Sequence, residues 1–335
     1  MITPNLEFDE LFVEDFLAEV DREELSADYV DWDEFKFDPN QPRAEKGVTE
    51  GGQWVDADAM THNGTQWVDK NGKPVPTAIQ DRLRQLVVPP GWRNVVLNPD
   101  PLAGMQVRGI DSKGRNVYKY SAEFAEARAA EKFQRLKAFN EVVPKVRDTA
   151  LKDMANKSLS KQDRDTAAAT YLITKTGFRI GDTGETQAKV KAYGATTLLS
   201  EHVRVTGQKV DFEFIGKKGV AIAHSISDPE LAVYLKGVAG KGSRPLFDTD
   251  APAVRSYFKG IAGEEFKVKD LRTWQGTSTA LTAMKEFSRP TSETAFKKQR
   301  LAVAKKVAAV LGNTPTVALK AYIDPAVFAK WEPRK

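Results

Sequence analysis

Residues 203–225 read VRVTGQKVDFEFIGKKGVAIAHS. Apolar and polar residues alternate on both sides of the GKKG sequence at 216–219, which predicts two antiparallel strands joined by a turn. The flanking sequence has helical periodicity instead, as in KQDRDTAAATYLITKTGF at 161–178. A β-hairpin inserted into a mainly helical region predicts an α+β fold.

The chain upstream of residue 122 is rich in strand signals. Residues 92–121 alternate and are interrupted by turn dipeptides, which predicts a small antiparallel sheet, and Asn71-Gly72 predicts a hairpin. From residue 122 the apolar residues follow helical spacing, and Pro144 predicts a break in that helix. We therefore expect three regions: a flexible acidic extension and linker at 1–60, a β-rich domain at 61–121 and a mainly α domain at 122–335.

The composition excludes several kinds of site. The 335 residues include no cysteine, so disulfides, thiolate metal sites and cysteine nucleophiles are excluded. Only 3 histidines are present, which does not favour a histidine-based metal site, and neither a metal nor a cofactor is expected. No apolar run reaches membrane-spanning length and the N-terminus is unlike a signal peptide, so we expect a soluble intracellular protein.

The charge is distributed unevenly along the chain. Residues 1–38 contain 14 Asp and Glu against 2 Lys and Arg, whereas the remainder has 48 basic against 32 acidic residues. A basic body with an acidic arm favours a polyanionic partner. An ordinary solvated surface with a flexible tail has the same composition, so charge alone does not identify the partner.

Four short segments carry the residues of a candidate active site. Three of them place a cation beside a glycine or a tight turn: KTGFRIGD with Arg179, FEFIGKKG with Lys217 and KDLRTWQGTS with Arg272. The fourth, LGNTPTVALKAYIDP at 311–325, carries Tyr322. Taken singly, these residues are typical of surface cations and a packing aromatic. Together they meet the needs of tyrosine attack on a phosphodiester, because arginines stabilise the charged oxygens and a lysine protonates the leaving alkoxide.

The turn before Tyr322 predicts a short helix that would fix its position. Thr314 is a typical N-cap and Pro315 suits the first helical position. Tyr322 lies seven residues further on, about two helical turns. Asp324-Pro325 repeats the capping signal for a final helix.

Long segments in the same order resemble the type IB DNA topoisomerases of the small bacterial and poxvirus kind, whose catalytic core is that of eukaryotic-type topoisomerase I. They include WVDKNGKPV, VPPGWRNVVLNPDPLAGMQVRGIDSKGRNVYKY, KFQRLKAFNEVVPKVR, TGFRIGD, YGATTLLSEHV, FEFIGKKG, KDLRTWQGT and LGNTPTVALKAYIDP. The resemblance implies a β DNA-binding domain and an α catalytic domain of the tyrosine recombinase and topoisomerase IB type, which form a C-shaped clamp. It also implies a monomer that relaxes duplex DNA, preferably supercoiled, by transient cleavage of one strand, swivelling and religation, without ATP or metal.

The resemblance also implies a role for each candidate residue. Tyr322 matches the nucleophile that forms a 3′-phosphotyrosyl link. Arg179 and Arg272 match the two arginines that bind the scissile phosphate. Lys217 matches the general acid, and the neighbouring Lys218 is the alternative in register.

Asn313 occupies the position at which poxvirus members carry histidine. An amide donates a hydrogen bond to a phosphate oxygen but cannot carry positive charge. We therefore expect activity to be retained, with a weak pH dependence from this site.

The segment DSKGRNVYKYS matches the part of the family's β domain that enters the major groove. Lys113 and Arg115 would neutralise phosphates, and Tyr118 and Tyr120 would share one face of a strand. Ordinary strand packing is the alternative for these tyrosines. The more selective members carry Gln where this chain has Val117, so weak sequence selectivity is expected, because valine makes no amide contact to a base edge.

Two other classes of protein share part of this pattern. A tyrosine recombinase has the same Arg–Lys–Arg–Tyr set but usually carries His three residues before the second arginine, where this chain has Lys269. A non-catalytic DNA-binding or virion protein would suit the acidic arm. The arm itself is expected to be flexible, to bind a protein partner or to occupy the enzyme's own DNA cleft, in a chain of bacterial or viral origin.

Overall fold

The computed structural model describes residues 59–112, 114–182, 190–329 and 331–332. The expected acidic extension lies almost wholly outside these residues, and Lys113 lies outside them as well. Two compact units divide the chain between Glu131 and Lys132. The domain limits that the sequence predicts, with a boundary after Ser121, remain a proposal.

From residue 59 onward, the first unit contains small antiparallel sheets, a short helix and the beginning of a long one. Strands β1 and β2 pair with each other, and strands β3, β4 and β5 form a second sheet in that order. Helix α1 follows β2 and precedes β3. The bounds of these elements are β1 Thr61–His62, β2 Trp67–Val68, α1 Thr77–Gln85, β3 Arg93–Leu97, β4 Met105–Ile110 and β5 Asn116–Tyr120.

The core of this unit explains why the strands alternate. Alternate residues of a strand point to opposite faces, so one face can be buried while the other faces solvent. The buried hydrophobic cluster contains Met60, Trp67, Val75, Leu83, Val88, Trp92, Val95 and Val107. Val117 of β5 packs against this cluster, so a larger polar side chain there would disturb the core.

The first long helix, α2, spans Ala122–Ala155. The predicted break at Pro144 is wrong, because the helix runs through this residue. Pro144 lies on the exposed side, where water can satisfy the carbonyl that loses its helical partner. Phe139 and Val143 are fully buried, and their packing holds the helix in register.

The inserted hairpin predicted at 203–225 is confirmed, with a third strand beside it. Strands β6 Val203–Thr206, β7 Lys209–Ile215 and β8 Ala221–Ser227 form an antiparallel sheet in chain order. Phe212 is fully buried beneath this sheet and packs edge-on against Phe178. The mixed fold, with small antiparallel sheets and a larger helical part, is therefore also confirmed.

Four of the remaining helices begin with a side-chain cap. Ser160, Asp228, Asp250 and Ser292 each accept a backbone N–H in the first turn of the helix that follows. These helices, with one more between the last two, are α3 Lys161–Thr176, α4 Pro229–Leu235, α5 Ala251–Ala262, α6 Asp270–Met284 and α7 Glu293–Leu311. No helix in the described part of the chain is both long and apolar enough to cross a membrane.

The C-terminal segment differs from the α-helix expected before Tyr322. Thr314 caps α8 Pro315–Val317 as predicted, with its hydroxyl accepting the N–H of Val317 at 3.3 Å. Ala318–Tyr322 then continues as one π-helical turn, in which the N–H of Ile323 donates to the carbonyl of Ala318 at 3.0 Å. The predicted final cap is confirmed: Asp324 accepts the N–H of Ala326 at 2.9 Å, and α9 spans Ala326–Ala329.

Candidate active site

Arg272 connects the ends of two other helices to Tyr322. It lies in the first turn of α6 and is almost fully buried, with 4% of its surface exposed. One terminal nitrogen donates to the carbonyl of Gly177, and the other donates to the carbonyl of Leu311 at 2.8 Å. The guanidinium carbon lies 5.1 Å from the centre of the Tyr322 ring. One cation therefore orients the end of α3, the end of α7 and the phenol.

The turn that ends α3 leads directly to Arg179. Gly177 ends the helix with a left-handed conformation, φ 66°, which a residue without a side chain adopts at little cost. A Cβ on Gly177 would lie 2.9 Å from Leu311, so the turn packs directly on the end of α7. Arg179 follows two residues later, and its carbonyl accepts the N–H of Ala195 at 2.8 Å.

Lys217 begins the turn between β7 and β8 and is exposed. The turn closes through a 2.7 Å bond from the N–H of Gly216 to the carbonyl of Val220. A Cβ on Gly216 would lie 2.7 Å from Cδ1 of Ile222, and a Cβ on Gly312 would lie 2.8 Å from that Cδ1. Ile222 therefore fills the space between the turn that carries Lys217 and the loop that carries Asn313.

Asn313 follows the left-handed Gly312 at the end of α7. Its backbone N–H donates to the carbonyl of Ala308 at 3.0 Å, which fixes the loop. Both polar atoms of its side-chain amide are buried and have no hydrogen-bond partner within the described residues. Leaving such an amide unsatisfied costs about 1–3 kcal/mol, which is typical of a group positioned for a ligand rather than for stability.

The backbone around Tyr322 packs tightly on α6. The side chain of Tyr322 is 8% exposed. A Cβ on Gly276 would lie only 2.6 Å from the carbonyl oxygen of Tyr322, so this helix position requires glycine. The hydroxyl of Thr277 donates to that carbonyl at 3.2 Å and accepts the N–H of Asp324 at 3.1 Å.

Lys132 also contacts this segment, and the sequence reasoning missed it. Its Nζ donates to the carbonyl of Ala321, the residue before Tyr322. Burial lowers the pKa of Lys132 to about 7, and the neighbouring Lys269 and Arg135 contribute to this shift. A signal was present in the sequence: Lys132 precedes Leu136 by four residues and Phe139 by seven, so it lies on the apolar face of α2.

The residues predicted to contact DNA have different environments in the first unit. Arg115 forms an ion pair with Asp111: its Nε and Nη2 donate to one carboxylate oxygen at 2.7 Å and 2.5 Å. The arginine side chain nevertheless remains 67% exposed. Tyr120 stacks on Phe124 with 5.4 Å between ring centres, and burial raises the pKa of its hydroxyl. These contacts favour ordinary strand packing over DNA contact as the role of Tyr120. Tyr118 is half-buried on the same strand.

Acidic and histidine side chains do not gather into a metal-ligand set in the described ranges. His224 lies against Phe178, and burial lowers its pKa. His202 contacts Tyr193 and accepts the backbone N–H of Leu199 at 3.1 Å. These two histidines therefore have structural contacts.

Comparisons with known proteins identify two adjacent family matches. Residues 121–332, more than half of the chain, match the family described as "Eukaryotic DNA topoisomerase I, catalytic core". Residues 64–111 match "Bacterial DNA topoisomerase IB, N-terminal domain". DNA topoisomerase 1B of Acanthamoeba polyphaga mimivirus is 26% identical over 271 residues, 76% of this chain and 80% of that protein. DNA topoisomerase 1B of vaccinia virus (strain Copenhagen) is 24% identical over 233 residues, 66% of this chain and 70% of that protein.

Proposed function

The chain belongs to the type IB DNA topoisomerases, a class of DNA-binding isomerases, and from this premise we propose that it relaxes supercoiled DNA through a tyrosine-linked intermediate. Membership of the family supports DNA relaxation in general. The observation that carries the finer proposal is Arg272, which bonds to two loops and lies 5.1 Å from the Tyr322 ring. The loops are those of Arg179 and Asn313.

The proposed cleavage step is a transesterification at phosphorus. The phenolic oxygen of Tyr322 attacks the scissile phosphate, a bond from this oxygen to phosphorus forms, and the bond to the 5′ oxygen breaks. The phenolic proton passes to solvent, and Lys217 protonates the leaving 5′ oxygen. A 3′-phosphotyrosyl link and a 5′-hydroxyl end result.

The cations offset the charge that develops on the phosphate oxygens. Arg179 and Arg272 suit this role because a guanidinium stays protonated and donates in a fixed plane. The buried amide of Asn313 supplies a neutral donor to the same oxygens. Burial of Arg272 strengthens its electrostatic effect, because the surrounding dielectric is lower than that of water.

Religation reverses the same step and requires no energy source. In the proposed cycle the two units close on duplex DNA as a clamp, one strand is cut and the free end swivels. The 5′-hydroxyl then attacks the phosphotyrosine and restores the strand. The covalent link conserves the ester energy, so neither ATP nor a metal ion takes part in the proposed reaction.

The test is relaxation of supercoiled plasmid in EDTA without ATP. We expect complete relaxation by the wild type, none by Tyr322→Phe, and a covalent protein–DNA adduct that maps to Tyr322. Tyr257→Phe is the matched control, because it removes a tyrosine hydroxyl that bonds to Asp153 at 2.7 Å instead. Relaxation that persists in Tyr322→Phe would contradict the proposal.

The same assay separates the two alternative functions. A tyrosine recombinase would exchange strands between two defined sites, and a non-catalytic protein would bind plasmid without changing its linking number. Lys269 at the start of α6 stands where recombinases usually carry histidine, which favours the topoisomerase. For all three functions, the affinity for DNA should fall steeply as the salt concentration rises, because contacts to phosphates release counterions.

A further inference from the structure

We propose that Lys132 is a positioning residue for Tyr322, and that its ammonium group holds the peptide before the nucleophile in the orientation that attack requires. This inference rests on the proposed role of Tyr322. Lys132 lies on α2, far from Tyr322 in sequence, and it has no place in the catalytic set that the sequence predicts. Its contact with the nucleophile is made through the carbonyl of Ala321.

The π-helical turn explains why this carbonyl needs a partner. The last carbonyls of any helix lack intrahelical donors. In the turn Ala318–Tyr322, the carbonyl of Ala318 accepts the N–H of Ile323. The carbonyls of Ala321 and Tyr322 accept side-chain donors from Lys132 and Thr277 instead. Removing either donor would release one of the two peptides that flank Tyr322 and orient its phenol.

The side chain of Lys132 extends from α2 to the carbonyl of Ala321 and is partly buried. Its Nζ also lies 4.3 Å from the centre of the Phe133 ring, a favourable cation–π distance. The contact with Ala321 joins residues 189 apart in sequence. Lys132 thus links α2 directly to the segment of the nucleophile.

The charges that surround Lys132 come from three elements. Asp270 and Lys269 lie at the start of α6, Arg135 lies one turn along α2, and Asp324 follows the π-helical turn. Burial is the largest influence and lowers the lysine pKa to about 7, with the two cations acting in the same direction and the two carboxylates opposing it. The charge on Nζ therefore changes near neutral pH.

Protonation changes the strength of the hydrogen bond that positions Tyr322. An ammonium donates a stronger hydrogen bond than a neutral amine. Loss of a charged donor should slow cleavage about tenfold, and loss of a neutral donor about threefold. The contribution of Lys132 should consequently be large below pH 7 and small above it.

The experiment measures single-turnover cleavage of a DNA substrate whose short 5′ fragment dissociates after cutting. Wild type and Lys132→Met are compared at saturating enzyme from pH 5.5 to pH 9. We expect the ratio of their rates to be about tenfold at pH 6 and to fall to about threefold at pH 8.5, with an inflection near pH 7. The ratio cancels the titration of groups that both proteins share.

Two further variants keep the test independent of folding. Lys132→Gln has a neutral donor, so we expect its cleavage rate below pH 7 to lie between those of the wild type and Lys132→Met. The ratio of the Lys132→Gln rate to the Lys132→Met rate should show no inflection near pH 7. Lys137→Met makes the same change at an exposed position of the same helix and should keep the wild-type rate and profile. DNA affinity, measured in a Tyr322→Phe background, should be unchanged by Lys132→Met.

The outcomes distinguish this inference from the proposed function. A wild-type rate and pH profile in Lys132→Met would overturn the positioning role while leaving the nucleophile assigned. A constant ratio across the pH range would also overturn it, because a purely structural lysine would act equally at every pH. Absence of any covalent adduct in the wild type would instead overturn the proposed function.

Discussion

The guanidinium carbon of Arg272 lies 5.1 Å from the centre of the Tyr322 ring. The same guanidinium donates to the carbonyls of Gly177 and Leu311, which end two different helices. The position of the phenol is therefore coupled to the loops that carry Arg179 and Asn313. A change at this single arginine should affect both folding and cleavage.

Arg272→Lys is expected to lower stability and cleavage together. A lysine presents one compact donor group and cannot replace a planar guanidinium that contacts two carbonyls and a ring. We expect the free energy of unfolding to fall by about 2–3 kcal/mol and the single-turnover cleavage rate to fall at least about 100-fold. Urea denaturation and cleavage assays measure the two effects.

Arg255→Lys is the matched control for this substitution, since Arg255 is exposed on α5. Arg179→Lys should slow cleavage with a smaller loss of stability, because Arg179 is only half-buried. If Arg272→Lys slowed cleavage with no loss of stability, the two backbone contacts would not support the fold as described.

Gly276→Ala should disturb Tyr322 although alanine favours helices. In an unhindered helix this change stabilises by up to about 1 kcal/mol. Here the added Cβ would lie 2.6 Å from the carbonyl oxygen and 2.9 Å from the Cβ of Tyr322. We expect a loss of about 1–3 kcal/mol in stability and cleavage at least about tenfold slower.

Gly260→Ala provides the control for this prediction, because a Cβ at that position of α5 meets nothing within 4 Å. It should be neutral or slightly stabilising and should relax plasmid at the wild-type rate. Equal thermal stability of Gly276→Ala and Gly260→Ala would refute the tight packing between α6 and Tyr322.

Asn313→Ala should lower activity without lowering stability. The buried amide atoms have no hydrogen-bond partner within the described residues, so their removal breaks no bond to that part of the chain. We expect stability to stay equal or to rise by about 1 kcal/mol, while cleavage slows roughly 100-fold if the amide binds the phosphate. Thermal unfolding and single-turnover cleavage test the two parts.

The pH profile of the same variant tests the replacement of histidine by an amide. The ratio of wild-type to Asn313→Ala rates should be flat from pH 5.5 to pH 8, because an amide does not titrate. Asn313→His should add an inflection near the histidine pKa of about 6.5. An inflection in the wild-type to Asn313→Ala ratio would contradict a neutral donor at this position.

Stability should depend on pH through Lys132. Its pKa falls from 10.5 to about 7 on folding, so between these values the unfolded chain binds more protons than the folded one. The wild type should therefore gain stability relative to Lys132→Met as pH rises from 7 to 10.5. After allowance for partial exposure the change is on the order of 3 kcal/mol.

Denaturation of both proteins at several pH values measures this difference, and Lys137→Met serves as the exposed control. Because each comparison is made at one pH, other titrating groups contribute equally to both proteins. A difference that stays constant from pH 7 to pH 10 would mean that Lys132 keeps its charge in the folded state.

Local structure was largely predictable from the sequence. Alternation around residues 216–219 predicts the strands on both sides of that turn, and Thr314 with Pro315 predicts the start of α8, because these features depend on neighbouring residues. The π-helical turn at Ala318–Tyr322 was not predictable in this way. Its carbonyls accept side-chain donors that come from α2 and α6, which are distant in sequence.

By itself, the sequence determined which residue types are available for the chemistry and which local elements carry them. Tertiary structure alone decided that Arg272 contacts a carbonyl 95 residues away and that Lys132 contacts one 189 residues away. The physical reason is that spacing along a helix or strand is set by backbone geometry, whereas the partner of a buried cation is set by how distant segments pack. The residues of the candidate chemistry could therefore be predicted from the sequence, whereas the contacts that position them could not.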